Sequence, residues 1–230
     1  VLICADKGAP DNSSSVDSLK QHDDSASSKP YVPPAKATDA GPDSDLAWLR
    51  NPEDKARAEA LNYANLMPLL QERYGKRKEL SVLEIGPLRT TSVAHALAAN
   101  TKLYQGLDIS KNAVRVQQEN LDKEGLTNAK SIVGDIYNLP LPDQSQDLVF
   151  ASRTTPLGSV HATRESLTRA YSEIARVLKH GGEFVLYPEP RKEIRAFDPS
   201  GEIFHEVKRI SVPPNPSNKN ESWMIIFDKR

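Results

Sequence analysis

From residue 80 onward, short apolar runs alternate with amphipathic stretches, the signature of strands exchanging with helices. LSVLEIG (80–86) predicts a strand that runs into Gly86, and TTSVAHALAAN (90–100) predicts a helix with Val93, Ala96 and Leu97 inward and Thr90 or Thr91 as cap. KLYQGLDIS (102–110) predicts a second strand. Ser110 then caps a helix whose inward face carries Ala113, Val114, Gln117 and Leu121 and which stops at Gly125. AKSIVGD (129–135) and QDLVFAS (146–152) predict strands three and four, the latter nearly all apolar, as expected of a strand covered on both faces. RESLTRAYSEIARVLKH is the clearest helix, with Leu167, Ala170, Tyr171, Ile174, Val177 and Leu178 on one stripe and Gly181 and Gly182 ending it. EFVLYPE is a fifth strand. FHEVKRISV and ESWMIIFDK are two more, and the short PPNPSNKN between them cannot hold a crossover helix, so that pair is antiparallel. The expected class is α/β: an open, mostly parallel sheet with helices on both faces and a C-terminal antiparallel hairpin.

The pattern divides the 230 residues into a leader at 1–44, a helical lead-in at 45–79 and the α/β domain at 80–230. Residues 1–50 hold eight Ser, eight Asp, five Pro and two Gly, too little apolar surface to offset the entropy of ordering, so the leader is expected to be disordered. Cys4 after Val1-Leu2-Ile3 is reminiscent of a lipid-anchored start, although Ile3 is not the small residue such anchoring wants; processing or trimming ahead of Val1 also accounts for the start. In the lead-in, Ala56, Ala60, Tyr63, Ala64, Met67 and Leu70 share a helical stripe broken by Gly75, with Pro68 marking a kink or a second short helix and Trp48 expected in the core.

Charge changes the picture only by exclusion. The first 50 residues carry five basic against eight acidic groups and the whole chain is at −1, which supports neither a nucleic-acid platform nor a polybasic membrane anchor. No apolar run approaches the length that spans a bilayer. A single cysteine excludes an intramolecular disulfide framework. Cytoplasmic placement is the favoured expectation, with secretion and N-terminal processing left open, and the oligomeric state is unassigned.

Open parallel sheets bind ligands beyond the carboxyl ends of their strands, where strand order reverses. Polar residues gather at those ends: Glu84 and Gly86 after strand one, Asp108 after strand two, Asp135 after strand three, and Ser152, Arg153, Thr154 and Thr155 after strand four. Asp108 follows Gly86 at the distance from which a carboxylate can accept from a ribose diol. Asp135 suits an exocyclic amine or the capping of its own loop, and Gly86 permits close backbone approach at a strand-to-helix turn.

VLEIG (82–86), GLDIS (106–110), GDIYNLPLPDQSQDLVFAS (134–152) and EIARVLKHGGEFVLYPE (173–189) together resemble the class I S-adenosylmethionine-dependent methyltransferases, in particular the methyltransferase type 11 group. The resemblance spans about residues 78–187, and its most specific part is the third segment, with its leucine-proline turn ahead of strand four. It implies a Rossmann-like sheet, S-adenosyl-L-methionine as cofactor and a small-molecule or protein acceptor. It further implies Asp108 and the adjoining Ile109 at the ribose, Asp135 at the adenine amine, Ile136 against the ring, Glu84 and Gly86 along the methionine side, and Ser152 facing the cofactor's centre. One departure stands out. Where the group carries glycine at alternating positions from Gly86, this chain has Leu88 and Thr90, in GPLRTT. Arg89 can compensate by reaching a carboxylate, and the threonines bring hydroxyls to the helix start. The alternative is a binding or scaffold domain that kept the fold without the cofactor. A nicotinamide-dependent oxidoreductase is a third reading, disfavoured by the missing glycines.

No catalytic base declares itself. Arg153 is a candidate for orienting an anionic acceptor and His161 is the nearest imidazole, while His180 suits a helix C-terminus and His95 and His205 stand apart. The histidines and Cys4 show no metal-ligand spacing, so no metal is expected. Tyr187, Glu189 and Arg191 flank the expected substrate mouth.

Overall fold

The computed structural model describes residues 63–230 except 88, 153, 160–161, 191, 196–197 and 215–221. The leader, Trp48, Arg153, His161, Arg191 and most of the lead-in lie outside the described residues.

Helix α1 (Met67–Tyr74) starts with Pro68 at its second position, where a missing N–H costs nothing, and ends at Gly75. Pro68 thus opens a separate short helix. Strand β1 (Leu80–Ile85) leads through the 86–91 turn to α2 (Ser92–Leu97) and a 3-10 turn at Ala98–Asn100. This helix is shorter than the pattern predicted. Thr91 stands at its N-cap without a capping bond, because its hydroxyl donates to Glu124 Oε1 instead (3.1 Å). Strand β2 (Thr101–Asp108) follows, then α3 (Lys111–Lys123), β3 (Ala129–Val133) and β4 (Gln146–Ser152). Ser110 Oγ accepts from Ala113 N (3.2 Å) as the α3 cap. Helix α4 (Arg164–Val177) opens on a capping box, Ser166 N donating to Thr163 Oγ1 and Thr163 N to Ser166 Oγ. Next come β5 (Leu178–Tyr187), two single-turn helices, α5 (Lys192–Arg195) and α6 (Ser200–Ile203), and strands β6 (Phe204–Val212) and β7 (Ser222–Lys229).

One boundary departs from the sequence pattern. Helix α4 stops at Val177, ahead of the KHGG segment, because Leu178 is already extended (φ −69°, ψ 135°) and pairs with Gln146. Pairing resumes at Leu148↔Glu183, and Gly181, at φ 72°, turns the intervening residues. His180 therefore lies in β5 and exposed, not at the helix terminus.

The seven strands run in the order β3-β2-β1-β4-β5-β7-β6. The first four pairings are parallel, and β7 is antiparallel to both β5 and β6. This is the mostly parallel sheet with an antiparallel C-terminal hairpin expected from the sequence. Strand order reverses between β1 and β4, so the crevice that the switch-point rule selects opens above Ile85 and Ala151, which are paired in register.

Alternation along the strands sends side chains to two cores. Leu83, Ile85, Leu107, Val149, Ala151 and Leu186 pack with α4, together with Phe184, Phe204, Phe227 and Tyr171, whose rings lie 5.4–6.0 Å apart. Full burial of such side chains is worth roughly 1.5–3 kcal/mol each. On the opposite face Val82, Tyr104, Leu148, Phe150, Val185 and Tyr187 pack with Leu70 and Tyr74 of α1, Val93 and Leu97 of α2 and Leu121 of α3. Far from the crevice, Glu183 pins α1 to β5 by accepting from Arg73 Nη2 and Tyr74 Oη, each at 2.7 Å.

Candidate functional site

The parallel register brings the sequence-selected residues to one rim. Asp108 closes β2 opposite Val133 of β3, Ile85 closes β1 opposite Leu107, and Ser152 closes β4 opposite Tyr187 of β5. Each residue stands there because a strand of alternating apolar residues ends beside it.

Asp108 is 6% exposed, and its Oδ1 accepts from Ser110 N (2.8 Å). The carboxylate is thereby oriented by the turn that starts α3. Ile109 next to it is half exposed, an apolar side chain standing at the rim. Asp135 closes a tight turn: Oδ1 accepts from Tyr137 N (2.9 Å), and its carbonyl accepts from Asn138 N (3.0 Å). No bond to its other carboxylate oxygen occurs among the described residues. Ile136 is 7% exposed and sits in the core cluster with Leu107 and Leu139. Of the two isoleucines, Ile109 is the accessible one.

Glu84 is buried at 1% exposure and accepts a short hydrogen bond from Tyr104 Oη. Burial, followed by the adjoining carboxylate, holds the Tyr104 phenol well above its ordinary pKa, so it remains a donor. Gly86 has φ 71°, a conformation that penalises any side chain. A Cβ there would lie 2.6 Å from Thr154 Oγ1, and Thr154 in turn donates to Ile85 O at 2.7 Å. The close approach that Gly86 permits is thus taken, on that side, by Thr154.

Two buried hydroxyls at the rim lack a protein partner among the described residues, Ser152 Oγ and Thr90 Oγ1, with the residues 8% and 7% exposed. Buried hydroxyls are nearly always bonded, so an orphan of this kind is a candidate anchor for a polar ligand. Arg89 lies half-buried on the turn, its carbonyl accepting from Asn120 Nδ2 (3.0 Å). Leu88 lies outside the described residues. The sequence alone placed Thr154 at the end of strand four but did not single out Tyr104, Gln117 or Asn120 as neighbours of this rim. Gly106 in mid-strand was the available signal, since such a glycine marks a close approach.

The described residues form two clefts. One of about 370 Å³ opens between α1 and α2, lined by Met67, Gln71, Thr91, Ser92 and His95 among others. The other, about 360 Å³, lies past β5 and is lined by Glu189, Lys192, Arg195 and Trp223 among others. Glu189 pairs there with Arg195 and with Arg209 Nη1 (2.7 Å). Of the expected mouth residues, Glu189 lines this cleft, whereas Tyr187 is 1% exposed and belongs to the core. His95 Nε2 pairs with Glu124 Oε2 at 2.7 Å, away from the strand ends.

Comparison with known proteins bears on the fold that carries these residues. A family model described as a methyltransferase domain matches residues 83–186, that is, β1 through β5. Sterol 24-C-methyltransferase of Gibberella zeae is 43% identical over 83 residues, 36% of this chain and 20% of that protein. Demethylmenaquinone methyltransferase of a Geobacillus species is 32% identical over 99 residues, 42% of this chain and 38% of that protein. The chain thus spans well under half the length of these curated relatives. Among solved structures, a SAM-dependent methyltransferase from Aquifex aeolicus superposes with a TM-score of 0.59 at 15% identity, covering 78% of this chain and 99% of that one. At that identity the likeness is one of fold.

Proposed function

Since the chain carries a methyltransferase type 11-like class I fold, we propose that it binds S-adenosyl-L-methionine and directs methyl transfer to a small-molecule or protein acceptor. The observation that carries this reading is the rim itself: two aspartates at adjoining strand ends and, at the switch point, the buried Ser152 hydroxyl, which has no partner among the described residues.

The residues present fit the cofactor's chemistry group by group. Asp108, already oriented by Ser110 N, would accept from the ribose hydroxyls, with Ile109 offering its exposed face to the adenine. The Asp135 oxygen not used by Tyr137 N would take the exocyclic amine. Ile136, held in the core, would support that loop from beneath and meet the ring only at its edge. Glu84, Gly86, Arg89 and Thr90 border the methionine half, where Arg89 and the Thr90 hydroxyl suit a carboxylate. Ser152 would face the sulfonium end.

When bound, the cofactor supplies an electrophilic methyl group on a positively charged sulfur. The chain's task is then to orient that end and an acceptor in line and to exclude water, work that alignment alone performs efficiently. A base is needed only for an acceptor that loses a proton. The polar cleft past β5, with Lys192, Arg195 and Trp223, adjoins the β4 and β5 ends and is the natural acceptor side.

Calorimetric titration of the chain with S-adenosylhomocysteine tests the reading. Binding is expected, and Asp108→Ala should weaken it by roughly 1.5–3 kcal/mol, the worth of hydrogen bonds to a charged group. Absence of binding at millimolar ligand would refute the reading and leave the scaffold alternative.

A further inference from the structure

The 86–91 turn, which lacks the alternating glycines, is held by one stripe of helix α3. Gln117 Nε2 donates to Thr90 O (2.8 Å) and Asn120 Nδ2 donates to Arg89 O (3.0 Å). One turn further along, Glu124 accepts from Thr91 Oγ1. Positions 117, 120 and 124 follow the three- and four-residue spacing of a single helix face. Three consecutive turn residues are therefore each gripped by α3 or by its C-cap residue, Glu124.

Gln117 is also the centre of a buried network. Its Nε2 reaches Tyr104 Oη (3.2 Å), which in turn donates to Glu84, while its Oε1 accepts from Ser131 Oγ (2.6 Å). Every hydrogen is used in a consistent direction: hydroxyl to amide oxygen, amide nitrogen to phenol and carbonyl, phenol to carboxylate. The space for it comes from Gly106, which stands in register between Glu84 and Ser131. A Cβ on Gly106 would lie 2.2 Å from Gln117 Oε1. A completely buried amide, a mid-strand glycine and a buried phenol are thus one device, and its two outputs are the Glu84 carboxylate and the Thr90 carbonyl.

We propose that Gln117 and Asn120 are positioning residues that set the 86–91 turn for the methionine half of the cofactor, in a turn that lacks the conformational freedom of alternating glycines. The proposal rests on the cofactor reading above. A trans peptide carries its N–H opposite its carbonyl, so a Thr90 carbonyl fixed on Gln117 turns the Thr91 N–H away from α3. The same grip fixes Arg89 and Thr90, whose side chains suit the ligand carboxylate. The adenosine half, served by Asp108 and Asp135, does not depend on this stripe.

That asymmetry supplies the test. The full chain, Asn120→Ala and Gly106→Ala are titrated by calorimetry with S-adenosylhomocysteine and with 5′-methylthioadenosine, which lacks the amino-acid end. Asn120→Ala is expected to weaken S-adenosylhomocysteine about 3- to 10-fold, the worth of one hydrogen bond, and 5′-methylthioadenosine by less than about 2-fold. Gly106→Ala, which displaces the Gln117 amide without touching the ligand, should show the same split more strongly. If that variant does not fold, Asn120→Ala carries the test, because its bond is half-buried and single. Equal losses for both ligands, or no loss for either, would overturn the proposal while leaving the cofactor reading intact. A wild-type chain that binds neither ligand refutes that reading and this inference with it.

Discussion

The carbonyls of the turn between β3 and β4 are held by a charged group, whereas those of Arg89 and Thr90 in the turn after β1 are held by neutral amides. In the first, Arg176 of α4 donates to the carbonyls of Leu139 and Leu141, each at 2.9 Å, and pairs with Asp143 and Glu173. Glu173 closes the clamp by accepting from Leu139 N (2.8 Å). In the second, Gln117 and Asn120 hold carbonyls with uncharged groups, and Gln117 is fully buried. Position explains the difference. The Arg176 guanidinium is 30% exposed and keeps part of its hydration, whereas a charge at position 117 would be stripped of water beside Glu84.

Breaking the charged clamp should give the largest change in stability. Arg176→Ala removes two carbonyl bonds and two ion pairs, and a loss of about 2 kcal/mol is expected after allowing for solvent screening, read from the urea midpoint. S-Adenosylhomocysteine affinity should hardly move, in contrast to the Asn120 and Gly106 variants.

Acid sharpens the contrast next. The Glu173 carboxyl is held below its ordinary value, first by its bond with Arg176 and also by Leu139 N. A depressed carboxyl contributes stability that is present above its unfolded pKa, near 4.3, and lost as pH falls through the folded value. Urea midpoints measured downward from pH 7 should therefore fall less steeply for Glu173→Gln than for wild type. The Gln117 and Asn120 side-chain amides carry no proton that titrates there.

The smallest effect belongs to Thr154. Thr154→Val keeps the shape that fills the space beside Gly86 and removes the bond to Ile85 O, at a cost of about 1 kcal/mol in thermal or urea unfolding.

Much of this was legible in the residues. Alternation from Leu80 to Ser152 marked β1 to β4 because strands covered by helices must be apolar, and the short PPNPSNKN link allowed only an antiparallel return. Asp108, Asp135 and Ser152 were legible as strand-end polar groups for the same reason. The helix predicted through His180 was not, because Leu178 joins β5 by pairing with Gln146, 32 residues earlier in the chain. Gln117 was legible as inward-facing on its helix, but its partners come from β2, β3 and the first turn, separated in sequence and joined only by the sheet.

Local pattern, then, determined the class of fold, the order of strands and helices, and which acidic residues stand at strand ends, since each depends on periodicity within a few turns of chain. Tertiary structure alone decided that Ile109 is accessible and Ile136 is core, that Thr154 occupies the side of Gly86, and that α3 grips the 86–91 turn. Those outcomes depend on which strand lies beside which, and a hydrogen bond across 27 residues, such as Gln117 to Thr90, leaves no periodic trace in the sequence.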